Sequence, residues 1–183
     1  MVHLPQHRKQ WTQEKNNFQG QLTDETYHGI LGYHNPIWRH LINKHDGKVL
    51  HPINVLGYTA IPLAVEFAQW GFPVTYITDS YQGVKKAKTD CEIHSGVFKE
   101  LLHFDFYKNC PQAKLTIFIN IIDDLQEDEI FTYLDVLLRR TREIVCAVRN
   151  DRSWKDLLDS KYDVDMSEYK DKQFCLLIIK EHE

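Results

Sequence analysis

The chain has 183 residues, of which 43% are apolar, enough for one domain with a continuous core. Its formal charge of −4, from 22 basic and 26 acidic residues, excludes a generic polyanion binder, which needs clustered Lys and Arg. The four cysteines, Cys91, Cys110, Cys146 and Cys175, form no C-x-x-C pair, so zinc-ribbon and thioredoxin patterns are excluded too.

No apolar run reaches the length of a membrane span, and residues 1–10 are polar, unlike a signal peptide. Three of the cysteines lie in apolar runs, where a free thiol packs as a small hydrophobe, as in a reducing compartment. The expectation is a cytoplasmic protein without a membrane partner or clear nucleic-acid binding. The longest basic run, Lys85-Lys86-Ala87-Lys88, reads as the solvated face of a helix, which leaves a local basic patch open.

In chain order, residues 1–34 are polar and aromatic, with Trp11, Phe18, Tyr27 and Tyr33 irregularly spaced. They read as an N-terminal extension with one or two short helices, either a lid or a segment packed on the body. Residues 35–183 form the α/β domain. Asn35-Pro36 is a helix start, and Ile37, Trp38, Leu41 and Ile42 fall on one helical face. Asp46-Gly47 ends that helix and leads into a first strand at 48–51. A helix from Thr59 or Ala60, with Pro62 in its first turn, stops at Gly71. The second strand, 73–78, is rich in β-branched and aromatic residues, as a buried parallel strand should be.

A helix over 80–95, a third strand at 97–104 and a fourth at 115–119 follow. An acidic stretch from Asp123 to Asp128 opens a long helix with the apolar stripe Ile130, Leu134, Leu137 and Leu138. Arg139, Arg140 and Arg142 suit the negative end of its dipole. A fifth strand at 143–148, a short helix at Trp154, Leu157 and Leu158, and two strands at 162–169 and 173–180 close the chain. Alternating strands and helices mean right-handed crossovers and a mostly parallel sheet, and the last two strands must pair as a hairpin. The fold class is therefore an α/β three-layer Rossmann-like sandwich. Its sheet is mostly parallel and seven-stranded, with a C-terminal antiparallel hairpin.

That order of elements resembles the class I S-adenosylmethionine-dependent methyltransferases over residues 36–180. Members carry V-L-D-x-G-x-G-x-G before a helix. Here the segment runs Val49-Leu50-His51-Pro52-Ile53-Asn54-Val55-Leu56-Gly57, followed by Tyr58-Thr59-Ala60. In this register His51 stands at the acid, Ile53 and Val55 at the first two glycines, and only Gly57 remains. Glycine permits positive φ and close approach of a ligand, whereas Ile and Val are among the residues least tolerant of either. The resemblance implies S-adenosylmethionine as cofactor, with His51, Ile53, Val55, Gly57 and Tyr58 forming its loop. It implies a ribose-binding acid after the second strand, which Asp79 supplies although strict register puts Thr78 at that position, and an adenine-side acid at Asp105 in His103-Phe104-Asp105-Phe106. Asn120-Ile121-Ile122-Asp123-Asp124-Leu125 is similar to the family's Asn-Val-Leu-Glu-His-Leu pattern, which implies a small-molecule substrate.

Each of these residues also has a plainer role. Asp79 caps a following helix equally well, Asp105 suits a turn, and Asp123 and Asp124 complement a helix dipole, with a general-base role as the sharper reading. His51 serves as a ligand contact, as a base near neutral pH, or as the mark of a site that has lost its cofactor. The ten histidines lack the spacing of a helical metal site. Two functions therefore stand side by side: a small-molecule methyltransferase, and a catalytically inactive binding or scaffolding protein on the same fold. A Rossmann-like protein for a different nucleotide is a third, although its loop would want the same glycines.

Overall fold

The computed structural model describes residues 24–45, 51–77, 98–101 and 111–183. The expected helix at 80–95, and with it Thr78, Asp79, Asp105, Trp11, Cys91 and Cys110, lies outside the described residues.

Seven strands among the described residues form one sheet in the order β3-β2-β1-β4-β5-β7-β6. They are β1 (Ile53–Leu56), β2 (Val74–Ile77), β3 (Phe98–Leu101), β4 (Ala113–Ile119), β5 (Thr141–Arg149), β6 (Tyr162–Glu168) and β7 (Phe174–Glu181). β1 pairs in parallel with β2 and β4, β2 with β3, and β4 with β5. β7 runs antiparallel between β5 and β6. The α/β sandwich expected from the alternation of elements is present.

Helices cover both faces of the sheet, so the central strands are apolar on both sides. On one face lie α1 (Asp24–Tyr33), α2 (Asn35–His45) and α3 (Ile61–Gln69). Ile37, Leu41, Leu63, Phe67 and Ala68 from these helices meet Ile53, Val55, Leu115, Ile117 and Val145 from the strands. On the other face lie α4 (Glu127–Leu138) and α5 (Trp154–Leu158). There Leu134, Leu137, Trp154 and Leu158 pack on Leu56, Phe118, Ile144, Cys146 and Leu177. Cys146 and Cys175 are free, buried thiols.

The polar ties follow the same logic. Buried Glu143 on β5 meets His40 of α2 at 2.8 Å and Lys180 of β7 at 3.6 Å, which fastens helix to sheet. α1 is pinned to the β6–β7 turn by Tyr33 donating to Asp171 at 2.7 Å and by a 2.8 Å bond between His34 Nδ1 and the Tyr169 hydroxyl. Tyr33 and Trp38 thus pack against the body, Trp38 stacking on Phe67 with centroids 5.1 Å apart.

Several boundaries differ from the sequence reading, β4 among them, which starts at Ala113 and not at Leu115. β1 occupies Ile53–Leu56, not 48–51. The long helix begins at Glu127, because Gln126 and Glu129 form a reciprocal capping box, so Asp123 and Asp124 precede the helix and do not belong to its first turn. β5 starts two residues earlier, at Thr141, where Ala113 N–H donates to the Arg140 carbonyl and zips the turn onto β4.

Adjacent β4 residues on opposite faces test this packing. Ile117→Ala should cost about 2–5 kcal/mol in chemical denaturation, the range for truncating a fully buried aliphatic side chain. Thr116 buries a hydroxyl that has no partner among the described residues, so Thr116→Val should be neutral or stabilising by up to about 2 kcal/mol.

Candidate functional site at the carboxyl edge

In an open parallel sheet, ligands bind in the crevice beyond the carboxyl ends of the strands. Here that edge is built from the ends of β1, β4 and β5. β1 stops at Leu56, and Gly57 follows with φ 94°. That left-handed backbone is open to glycine and strained for any side chain. The Gly57 N–H donates to the Ile77 carbonyl at 3.0 Å, continuing the ladder with β2 by one residue. Its carbonyl accepts the Tyr76 hydroxyl at 2.8 Å and the Ala60 N–H at 3.2 Å. The peptide after β1 is therefore held from both sides, and a 3-10 turn over Tyr58–Ala60 carries the chain into α3. α3 has no side-chain cap on its first turn and no acid there, which leaves its positive end without a carboxylate of its own.

At the end of β4, Asn120 takes φ 55° while its N–H donates to the Ala147 carbonyl of β5 at 3.0 Å. Asn is one of the few residues with a side chain that adopts this conformation readily. The strand thus ends in a sharp bend, and Asp123 comes three residues later. Asp123 is 2% exposed. One carboxylate oxygen accepts the Arg149 N–H at 2.5 Å, and Arg152 donates to the Asp123 carbonyl at 3.1 Å. The other carboxylate oxygen has no partner among the described residues. Arg149 also pairs with Asp124 and, at 3.5 Å, with Asp151. This charge network ties the loop after β4 to the loop after β5. Burial, opposed by the contacts from Arg149, pushes the Asp123 carboxyl up to about 6.

Several sequence-predicted site residues move. Ile53 and Val55 are not loop positions. They pair with Val74 and Tyr76 on one side and with Leu115 and Ile117 on the other, and both are fully buried against α2 and α3. His51 precedes β1 and borders Ala113, Lys114, Arg140 and Thr141, at the amino edge of the parallel strands. It lies at the opposite end of the sheet from Gly57, so its place in the cofactor loop is corrected. With β1 ending at Leu56, Gly57 is the first residue past the strand, and Thr59 and Ile61 lie in and just after the 3-10 turn that follows. Thr59 is 4% exposed and Ile61 fully buried, so both are turned into the body.

Gly57, the Tyr58 backbone and Asn120 do come together along one edge, while Thr78, Asp79 and Asp105 lie outside the described residues. Asp123 is the residue whose importance the sequence reading understated. Its signal is an acid directly after the apolar pair Ile121-Ile122, short of the helix start at Glu127. Among the described residues, no cluster of His, Cys, Asp and Glu could hold a metal ion, and no helix is long and apolar enough to cross a membrane.

The fold is that of the class I S-adenosylmethionine-dependent methyltransferases. The magnesium protoporphyrin IX methyltransferase ChlM from Synechocystis PCC 6803, with bound SAM, superposes with a TM-score of 0.64 at 11% identity, covering 100% of this chain and 86% of that one. The N-methyltransferase NodS from Bradyrhizobium japonicum, in complex with S-adenosyl-L-homocysteine, gives 0.61 at 12% identity, covering 87% and 100%. The bifunctional kinase-methyltransferase WbdD gives 0.61 at 10%. The match covers 83% of this chain but spans only 39% of that protein's length. No family model matches the sequence, and no curated protein does so either. At these identities the likeness is one of fold.

Two titrating groups oppose each other in acid. The Asp123 carboxyl is raised to about 6, so the folded state holds its proton more tightly than the unfolded chain, and stability falls as pH rises from about 4 to about 6. Burial lowers His34 to about 4, so the unfolded chain takes that proton first and stability falls as pH drops through the same window. Equilibrium denaturation from pH 4 to 7 should show the Asp123→Asn variant gaining on the parent as pH rises, by about 2–3 kcal/mol in all. The His34→Gln variant should gain on the parent as pH falls.

Proposed function

We propose that this protein transfers a methyl group from S-adenosylmethionine to a small-molecule acceptor. The observation that carries the reading is Gly57. It stands at φ 94° directly after the central strand, with its carbonyl fixed by Tyr76, at the entrance to a helix whose first turn is uncapped. A positive-φ glycine lets a ligand lie against the main chain, and an uncapped helix N-terminus favours a carboxylate such as that of the cofactor's methionine portion. The methyltransferase fold supports the same assignment.

In this proposal Gly57, the Tyr58 backbone and Asn120 line the methionine side of the cofactor. Asp79, or Thr78 in the alternative register, accepts the ribose hydroxyls, and Asp105 receives the adenine amino group. Bound S-adenosylmethionine would supply an electrophilic sulfonium methyl. The protein's share is to orient an O, N or S nucleophile in line with it, which proximity largely accomplishes. Asp123 acts as a positioning residue, because its carboxylate already accepts the Arg149 N–H and so sets the loop that follows Asn120. Substrate choice falls to that loop and to residues 1–34.

The second reading is a binding protein on this fold without the usual cofactor site.

Isothermal titration with S-adenosylmethionine and S-adenosylhomocysteine separates the two. The methyltransferase reading expects saturable heat with both, weakened at least about tenfold, or about 1.4 kcal/mol, by Gly57→Val and by Asp79→Ala. No heat and no thermal shift at about millimolar ligand sinks it and leaves the binding-protein reading.

A further inference from the structure

A wide groove bordered by described residues lies at the other end of the sheet. It is a groove of about 680 Å³ at the amino edge of β1, β4 and β5, where the turn after α4 meets the end of β7. Lys114, Arg139, Arg140, Arg142 and Lys180 line it and bring five positive charges, with the His51 imidazole beside them. Glu181 and Glu183 subtract two, and Glu143 pairs with Lys180 at 3.6 Å, which leaves Lys114, Arg139, Arg140 and Arg142 as the groove's main cations. This concentration of positive charge sits on a chain whose formal charge is −4.

The cations are held in place by backbone. Arg139 caps α4, and Arg140 N–H donates to the Leu137 carbonyl at 2.9 Å. The Arg140 carbonyl accepts from Ala113 at 3.0 Å, and Lys114 N–H donates to the Pro52 carbonyl at 3.0 Å. Lys114 and Arg142 occupy neighbouring positions on paired strands, since Ala113 faces Thr141 and Leu115 faces Glu143. Lys114 and Arg140 are half-buried. Among the described residues, Lys114, Arg140 and Arg142 make no ion pair or side-chain hydrogen bond. The dipole of α4 accounts for Arg139 at its C-cap but not for Lys114 and Arg142, which come from strands. Like charges crowded into one concave surface repel each other unless an anion joins them.

We propose that this groove binds a small, multiply phosphorylated molecule with the charge and bulk of a nucleoside triphosphate. Its volume falls within the ~300–1,000 Å³ usual for small-ligand sites, and its guanidinium groups suit phosphate oxygens in paired contacts. A long nucleic-acid strand would need basic surface beyond the groove, and the overall negative charge opposes one. The site stands apart from the cofactor edge and does not rest on methyl transfer.

The probes are tripolyphosphate and ATP, titrated into the full chain by calorimetry at low salt. Both should bind, and raising KCl from about 50 to about 200 mM should weaken binding at least about fivefold. A Lys114→Gln/Arg140→Gln/Arg142→Gln variant should lose at least about tenfold in affinity, and Glu181→Gln/Glu183→Gln should gain about threefold or more. The two variants move charge in opposite senses, so a folding defect in one does not mimic the pattern. Tighter binding of ATP than tripolyphosphate adds a nucleoside contact, and equal binding assigns recognition to the phosphates. The proposal is overturned if neither probe binds at about 1 mM, or if both variants bind as the parent does. It is also overturned if a short single-stranded RNA binds more than about tenfold tighter than tripolyphosphate, which would make the groove a nucleic-acid surface.

Discussion

The hydrogen-bond register of β1 between β2 and β4 is the constraint on which the rest of this molecule depends. Ile53 is set against Val74 and Leu115, and Leu56 against Ile77 and Phe118. A one-residue slip would turn Ile53 and Val55 toward α4 and Leu56 toward α3, exchanging which core each side chain enters. Two dry cores packed on opposite faces make that exchange costly, so the register is held from both sides. Once it is set, the strand must end at Leu56, and Gly57 must be the residue that turns away from the sheet.

The geometry of the edge follows from that ending. Tyr76 points into the α3 face, yet its hydroxyl reaches the Gly57 carbonyl, so one buried side chain links core packing to the loop. Asn120 makes a similar bend at the end of the neighbouring strand, and Asp123 joins the next loop to β5 by accepting the Arg149 N–H. Burying an acid with one oxygen that has no partner among the described residues costs stability. Such costs tend to collect where a fold serves function, and this one sits at the edge where ligands of this architecture are expected. The opposite edge has a different electrostatic character: basic side chains from three strands and a turn converge there, and they outnumber the acids beside them.

Much of the architecture could be read along the chain. Apolar runs bounded by turns marked the strands, the stripe of Ile130, Leu134 and Leu137 marked α4, and the absence of a helix between the last two strands required a hairpin. The first strand was the exception. Val49-Leu50 and Ile53 to Leu56 are both short apolar runs near a turn, and periodicity alone does not choose between them. Choosing the earlier run placed Ile53 and Val55 in a ligand loop and His51 at its mouth. Partners more than twenty residues away, Val74 and Leu115, decide otherwise. The start of α4 was misplaced for a related reason, because an acidic stretch looks like a first turn wherever it stands, whereas a capping box fixes one residue as the cap.

The sequence by itself determined the fold class, the positions of most elements and the candidacy of Gly57 and Asn120. The elements follow from side-chain periodicity and turn composition, and the two candidates from the resemblance to the methyltransferase pattern. Only the tertiary structure decided which end of the sheet each candidate occupies. It placed His51 and the arginines after α4 at one edge, Gly57 and Asp123 at the other, and Ile53 and Val55 in the core between them. The reason is that strand register and burial are set by non-local pairing, and a residue's distance along the chain does not reveal which edge of a parallel sheet it will reach.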